Sequence, residues 1–145
     1  MYSWVLLAYK VPAEPTARRV YVWRKLKRLG ALLLHDAVWV LPATAYTLEQ
    51  FQWLAAEIEE MEGNAMVWEA RLGLDGQDSL MRSRFIAQVE EGYREILAAV
   101  AAHPEADVAA LSKRYQQLQA QDYFHAELAA RVREALATAR GGQTP

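Results

Sequence analysis

The order of hydrophobic periods in the first half of the chain constrains its fold more than any other feature. Residues 3–9 form a short apolar run that predicts a buried strand, which leaves its sheet at Pro12 because proline cannot donate to a ladder. A helical pattern follows from Thr16, which can cap the first-turn N–H groups, and Gly30 is placed to end that helix in the left-handed conformation. The apolar positions spaced three apart predict its buried face: Val20, Trp23, Leu26 and Leu29.

The next segment predicts a β-hairpin. Two apolar runs, residues 31–34 and 38–41, are separated by His35-Asp36-Ala37, which is short enough to serve as the turn. Pro42 closes the second of these strands.

A second amphipathic helix and a fourth strand complete this half of the chain. Thr47, followed three residues later by Gln50, has the spacing of a capping box, and Gly63 with Asn64 predicts the end of the helix. Residues 65–72 alternate loosely between apolar and polar side chains, as in a half-buried strand.

The order β-α-β-β-α-β predicts an α+β fold, in which residues 1–72 form a ferredoxin-like four-stranded antiparallel sheet with two helices on one face. Residues 73–78 form a polar connector, and His103-Pro104 breaks the helical half that follows. About three helices are predicted there: residues 79–102, 105–121 and 127–140. We expect residues 79–140 to pack on the sheet unit as one compact domain, because 145 residues amount to about one domain, and residues 141–145 to fray.

The composition argues against several kinds of chemistry. The chain has no cysteine, which excludes disulfides, thiolate zinc sites, iron–sulfur clusters and cysteine nucleophiles. Its three histidines, His35, His103 and His125, are far apart and lack ligand partners at helical or turn spacing. No nucleotide-binding, metalloprotease or serine-hydrolase motif occurs. We therefore expect no metal, no cofactor and no catalytic residues, and a protein that is not an enzyme.

The N-terminal residues carry no basic segment ahead of their apolar run, and no run approaches the roughly 18 apolar residues of a membrane span. We expect a cytoplasmic protein without a membrane partner.

Charge is strongly segregated along the chain. The net charge is −2, yet residues 10–28 contain seven basic residues and one acid, Glu14. Such a run creates a local positive field that suits a nucleic acid or another anion. The alternative is a solvated face that pairs with the acidic second helix or with another subunit. The basic residues of the run are Lys10, Arg18, Arg19, Arg24, Lys25, Lys27 and Arg28.

The chain is also rich in aromatic residues, with five tryptophans and seven tyrosines. Trp23, Trp39 and Trp53 fall on apolar faces of predicted elements, which favours a place in the core over a role in stacking on bases. Trp4 and Trp68, on the first and last strands, are open to either interpretation.

Several of these motifs together resemble one family. They lie at residues 4–15 (WVLLAYKVPAEP), 19–26 (RVYVWRKL), 29–31 (LGA), 38–42 (VWVLP), 51–58 (FQWLAAEI) and 67–71 (VWEAR), and again at Arg84-Phe85 and Asp122-Tyr123-Phe124. In these motifs the chain resembles the N-terminal domain of the ChrB family, regulators of bacterial chromate-resistance operons. The first half is similar, more distantly, to PaaX-type repressors and to the small CRISPR adaptation subunit.

The resemblance implies a cytoplasmic regulatory domain that binds operator DNA and responds to chromate. For DNA binding we expect a homodimer, in which two basic helices span neighbouring turns of the duplex. The basic residues that carry over to nucleic-acid binding are Lys10, Arg18, Arg19, Arg24, Lys25 and Arg28. Larger members of the family continue into a second domain, and a separately encoded domain of that type is a candidate partner. In the CRISPR subunit an acidic residue linked to metal-dependent nuclease activity ends the first strand. Lys10 stands at that position, and because an ammonium repels Mg²⁺, a nuclease of that kind is disfavoured.

Three functional hypotheses follow, of which the third is a purely structural partner of another chain, with the Trp-rich sheet face as the interface. In the first, the basic helix lies along a DNA backbone. In the second, the chain senses an oxyanion such as chromate through Lys10, Arg18 and Arg19 near the predicted helix start, or is an interaction module that does not bind DNA.

Overall fold

The computed structural model of the chain describes residues 2–102 and 106–142. The chain divides into two compact units, Met1–Met81 and Arg82–Pro145. The predicted break at His103-Pro104 and the last three residues of the predicted tail lie outside the described residues. The predicted boundaries of sheet unit, connector and helical extension stay predictions.

The first unit has the predicted order of strands and helices, which confirms the α+β fold class. Its elements are β1 (Trp4–Lys10), α1 (Thr16–Leu29), β2 (Leu32–His35), β3 (Val38–Pro42), α2 (Ala45–Glu60) and β4 (Asn64–Ala70). The sheet is antiparallel throughout, in the order β2-β3-β1-β4. The predicted hairpin is also present, but His35 is the last residue of β2, so the turn consists of Asp36 and Ala37, with a register shift between Leu33 and His35.

One face of the sheet is largely buried, and the other is buried at Trp4 and Val40 but exposed on β4. Val5 and Leu7 on β1 and Leu41 on β3 are fully buried, and α2 contacts both β1 and β4. The register places Leu6 opposite Trp68 and Ala8 opposite Met66, so these four residues share the other face. There Met66 and Trp68 are 62% and 48% exposed.

Helix ends follow the predicted chemistry at one position and depart from it at two. Gly30 ends α1 in the left-handed conformation, with φ 77°, as predicted. However, Pro15 holds the N-cap position of α1, so Thr16 is the first helical residue and caps nothing. The α2 helix begins earlier than predicted, because Thr44 is its cap and Thr47 is the third helical residue of the capping box.

The buried face of α1 differs from the predicted one. Val22 and Leu26 are fully buried, whereas Val20 and Trp23 are 38% and 52% exposed. Trp53 on α2 is also exposed, so the prediction that it and Trp23 are core residues is wrong. Trp39 is buried, as predicted.

The second unit is built from the greater part of α3 (Gln77–Ala102), with α4 (Val108–Ala120) and α5 (Leu128–Gly142). Asp107 caps α4 by accepting a hydrogen bond from the N–H of Ala110. The core of this unit consists of Val89, Tyr93, Ile96, Val108, Tyr115, Leu118, Ala126, Val132 and Leu136. Within it, the Tyr93 hydroxyl donates to the buried carboxylate of Asp122 over 2.9 Å.

Candidate functional site

A cleft of about 660 Å³ opens in the first unit between the end of β1, the start of α1 and the β2–β3 hairpin. Aromatic and aliphatic side chains form most of its walls: Tyr9, Val11, Ala13, Val20, Trp23, Leu33, Ala37 and Trp39. Four polar or charged residues complete the lining: Lys10, Thr16, Arg19 and Asp36. An apolar cleft with a few polar groups is the usual form of a small-molecule site.

Two cations of the predicted set meet at this cleft. Lys10 is the last residue of β1 and Arg19 lies in the first turn of α1, and both are exposed. Neither forms an ion pair with an acidic side chain of residues 2–102 or 106–142. No side chain caps α1 at this end, where the helix dipole is positive. The cleft therefore has a positive rim on one side, with the single carboxylate of Asp36 on its lining.

The main chain of Lys10 is fixed from behind by Gly63. A Cβ atom at position 63 would lie 2.4 Å from the carbonyl oxygen of Lys10 and 2.9 Å from Cγ2 of Ile58. Only glycine allows the turn after α2 to approach β1 this closely. The register pairs Lys10 with Asn64, so β4 holds the same residue from the side.

Tyr9 and Trp39 are joined on the aromatic wall of the cleft. Burial raises the pKa of the Tyr9 hydroxyl, while its hydrogen bond with the Trp39 side chain and the charge of Arg19 lower it. An indole N–H can only donate, so the Tyr9 oxygen is the acceptor in this bond. The phenolic hydrogen of Tyr9 is therefore left for another partner.

Arg18 occupies a different position from Lys10 and Arg19. It is partly buried, and its Nη1 donates to the carbonyl oxygen of Met61 over 2.8 Å. The same atom lies 4.0 Å from the exposed carboxylate of Glu62. Arg18 thus faces the end of α2, and it does not line the cleft.

The remaining predicted residues lie farther along α1. Arg24 and Arg28 are exposed and four residues apart, which places them on one face of the helix. Lys25 is partly buried, with its Nζ 5.6 Å from the centre of the Tyr21 ring. The Tyr21 hydroxyl donates to the Glu57 carboxylate of α2, which raises the pKa of that hydroxyl. Of these contacts, only the 4.0 Å approach of Arg18 to Glu62, just beyond α2, is an ion pair of the kind that the charge pattern suggested.

Within residues 2–102 and 106–142, no group of three or more His, Asp or Glu side chains could hold a metal ion. In the same part of the chain, no helix is long and apolar enough to cross a membrane.

The aromatic side of the cleft was not predicted from the sequence. Leu7 pairs with Trp39 across the sheet, so Tyr9, two residues further along β1, lies diagonally from Trp39 on the same face. That alternation was readable in the sequence once the pairing of β1 with β3 was known. The third aromatic residue, Trp23, comes from a helix, and its place depends on which face of α1 is buried.

The fold and the site together define a small α+β domain that carries a basic helix and an aromatic cleft. The family described as "Protein ChrB, N-terminal" matches residues 19–109, more than half of the chain, and the chain belongs to this family. It is 27% identical over 88 residues to Protein ChrB of Cupriavidus metallidurans. That alignment covers 61% of this chain and 27% of that protein, so it spans about a quarter of the relative's length.

Proposed function

We propose that this chain is a transcriptional regulatory domain linked to chromate resistance, and that it binds DNA through α1. The observation that carries the proposal is the exposed basic face of α1, where Arg24 and Arg28 lie about 6 Å apart along the helix axis. Lys25 flanks them, and Lys10 and Arg19 extend the positive field towards the start of the helix. Membership of the ChrB N-terminal family supports a regulatory role.

The contacts of α1 with α2 leave this surface open to solvent. Arg18 and Tyr21 contact α2 and its end, and no acidic side chain of residues 2–102 or 106–142 forms an ion pair with Arg24. Cationic side chains on an exposed helix can neutralise DNA phosphates and release condensed counterions, so the affinity should fall steeply with salt.

A mobility-shift titration against the DNA upstream of the gene, at several salt concentrations, tests the proposal. We expect the logarithm of the binding constant to fall linearly with the logarithm of salt concentration. Arg24→Glu with Arg28→Glu should abolish binding at physiological salt. The matched control is Lys113→Glu with Arg114→Glu, which makes the same charge change at two exposed positions on α4. Equal losses of DNA affinity in the two double variants would contradict the proposal. The absence of binding by the wild type at about 50 mM salt, near the low end of such titrations, would also contradict it.

The cleft favours a second candidate function, the binding of an oxyanion such as chromate. Chromate is a tetrahedral dianion, and Lys10 and Arg19 beside an uncapped helix N-terminus suit such a charge. Arg18, also a candidate from the sequence, would have to leave the Met61 carbonyl to take part. Calorimetry with chromate and with sulfate tests this candidate, and equal, negligible heats would contradict it.

The domain is further proposed to act as a homodimer, so that two α1 helices reach neighbouring parts of one duplex. The exposed sheet face with Met66 and Trp68 supports a second copy as its cover. Light scattering should then report a dimer that Trp68→Glu converts to a monomer. A monomeric wild-type chain at high concentration would count against the dimer.

A further inference from the structure

The cleft has more apolar surface than an inorganic oxyanion needs. Its volume of about 660 Å³ lies within the roughly 300–1,000 Å³ of sites that enclose organic ligands. A single small tetrahedral ion at Lys10 and Arg19 would leave the aromatic walls without a contact. These walls therefore point to a ligand with a substantial apolar part.

The polar groups of the cleft favour an anionic head group. Lys10 and Arg19 supply positive charge at one end. The Tyr9 hydroxyl accepts from Trp39, which leaves its hydrogen to donate to a ligand. An ammonium, a guanidinium and a phenol hydrogen together match the acceptor oxygens of a carboxylate, sulfonate or phosphate.

The walls favour a planar ring as the ligand's body. Trp23 is 52% exposed and lines the cleft from α1, while the 43% exposed Leu33 and the edge of the buried Trp39 line it from the hairpin. Half-exposed tryptophan faces stack favourably with flat aromatic groups. The carboxylate of Asp36 can accept a hydrogen bond from an N–H or O–H group on that body.

We propose that this cleft binds an aromatic organic anion, whose acidic group meets Lys10, Arg19 and Tyr9 while its ring packs against Trp23 and Trp39. The site does not depend on DNA binding, because the exposed face of α1 formed by Arg24 and Arg28 does not line it. Aromatic carboxylates and nucleoside monophosphates share this chemistry.

Titration of the full chain with the fluorescent dye anilinonaphthalene sulfonate tests the proposal without DNA. We expect saturable binding of one dye per chain. Phenylnaphthylamine has the same rings without the sulfonate and should bind at least about tenfold more weakly, because a charged hydrogen bond is lost. Arg19→Gln should weaken dye binding by a similar factor, while Arg24→Gln, which removes an equal charge outside the cleft, should not.

A second pair of variants tests the aromatic wall. Trp23→Ala should weaken dye binding, whereas Trp53→Ala, which removes an equally exposed tryptophan from α2, should have no effect. Displacement of the dye by naphthalene carboxylate or by adenosine monophosphate then distinguishes the two sources of the anion. An unchanged affinity in Arg19→Gln, equal losses in the two tryptophan variants, or equal binding of the uncharged dye would overturn the proposal. Displacement by the same concentration of sulfate would also overturn it, in favour of an inorganic oxyanion.

Discussion

Arg18 is bound to the main chain at the end of α2 by a 2.8 Å hydrogen bond from its Nη1 to the Met61 carbonyl oxygen. The carboxylate of Glu62 lies 4.0 Å from the same nitrogen, and its side chain is 84% exposed. A guanidinium that donates to a carbonyl at a helix C-terminus is favoured by the helix dipole, whereas an exposed ion pair at 4.0 Å contributes little. The contact between the two helices therefore depends on the carbonyl more than on the acid.

Arg18→Ala is expected to lower the free energy of unfolding by about 1 kcal/mol, reduced from the full value of a charged hydrogen bond because a third of the side chain is exposed. Glu62→Gln should change it by less than about 0.5 kcal/mol. Gln is the right control because Glu62 has φ 66°, and glycine there would also relieve the backbone. Urea denaturation checks both values, and equal losses would show that the ion pair dominates.

Gly92 on α3 is expected to resist replacement even by alanine. A Cβ at position 92 would lie 2.6 Å from Cδ2 of Leu118, which is itself only 2% exposed. Alanine is a better helix former by about 1 kcal/mol, but this overpacking should outweigh that gain, for a net loss of about 1–2 kcal/mol. Thermal and urea denaturation of Gly92→Ala measure the net effect.

Gly73→Ala is the matched control for that change, because a Cβ at position 73 has no atom within 4 Å. It should leave the stability unchanged or raise it slightly, because alanine lowers the conformational entropy of the unfolded chain. A stabilised Gly92→Ala would mean that Leu118 can move aside.

The buried pair of Tyr93 and Asp122 predicts a loss of stability in alkali. Burial and the hydrogen bond to Asp122 raise the pKa of the Tyr93 hydroxyl well above its usual value. The folded state therefore favours the neutral phenol, a contribution that is full below the unfolded pKa of about 10. Above that pH the stability should fall by about 1.4 kcal/mol per pH unit as the unfolded chain ionises first.

Tyr93→Phe separates this effect from the titration of other groups. The variant should be less stable at pH 7 by about 1–3 kcal/mol, because the Asp122 carboxylate keeps only its bonds from the Ala126 N–H. Its urea midpoint should fall less steeply than that of the wild type from pH 9 to 11, a range that brackets the usual tyrosine pKa of about 10. Parallel curves would contradict the assignment.

The hydrogen bonds of Asp78 predict that the folded chain loses stability in acid. The indole N–H of Trp4 donates to Asp78 over 2.9 Å and the Tyr2 N–H over 3.1 Å, and these bonds lower the pKa of the carboxyl. Their contribution is full above the unfolded pKa of about 3.9 and is lost as pH falls through the lower folded value. Asp78→Asn should therefore flatten the fall in stability below about pH 4, as measured by tryptophan fluorescence. If Asp78→Asn loses stability in acid as steeply as the wild type, other carboxylates control that loss.

The fold was predictable from the sequence because several of its elements end at or near glycine or proline, whose backbones differ from those of other residues. Gly30, Pro12 and Pro42 mark the ends of elements whatever surrounds them, and the alternation of periods between them sets the order of the strands. The start of α2 was placed three residues late because Thr44 and Thr47 both fit a cap, and only the backbone of Thr44 is extended.

The cleft was less accessible to such reasoning, because a spacing of three on α1 selected the wrong face. Val22 and Leu26, four apart, are the buried pair, and Trp23 beside them turns out to solvent. The orientation of α1 about its axis also separates Arg19 from Arg18. These two residues are adjacent in sequence, but Arg19 lines the cleft and Arg18 contacts the end of α2. A helix carrying bulky apolar residues on most of its sides has no unique buried face until the sheet below it is known.

The close approach of Gly63 to Lys10 bears on how tightly any anion can be held at the cleft. The backbone of Lys10 is already ordered in the folded chain. Ligand binding therefore has to order only the lysine side chain, which costs up to about 2 kcal/mol of conformational entropy. A methyl group at position 63 would force the main chain of Lys10 or the turn after α2 to shift, and would change the site without contacting any ligand.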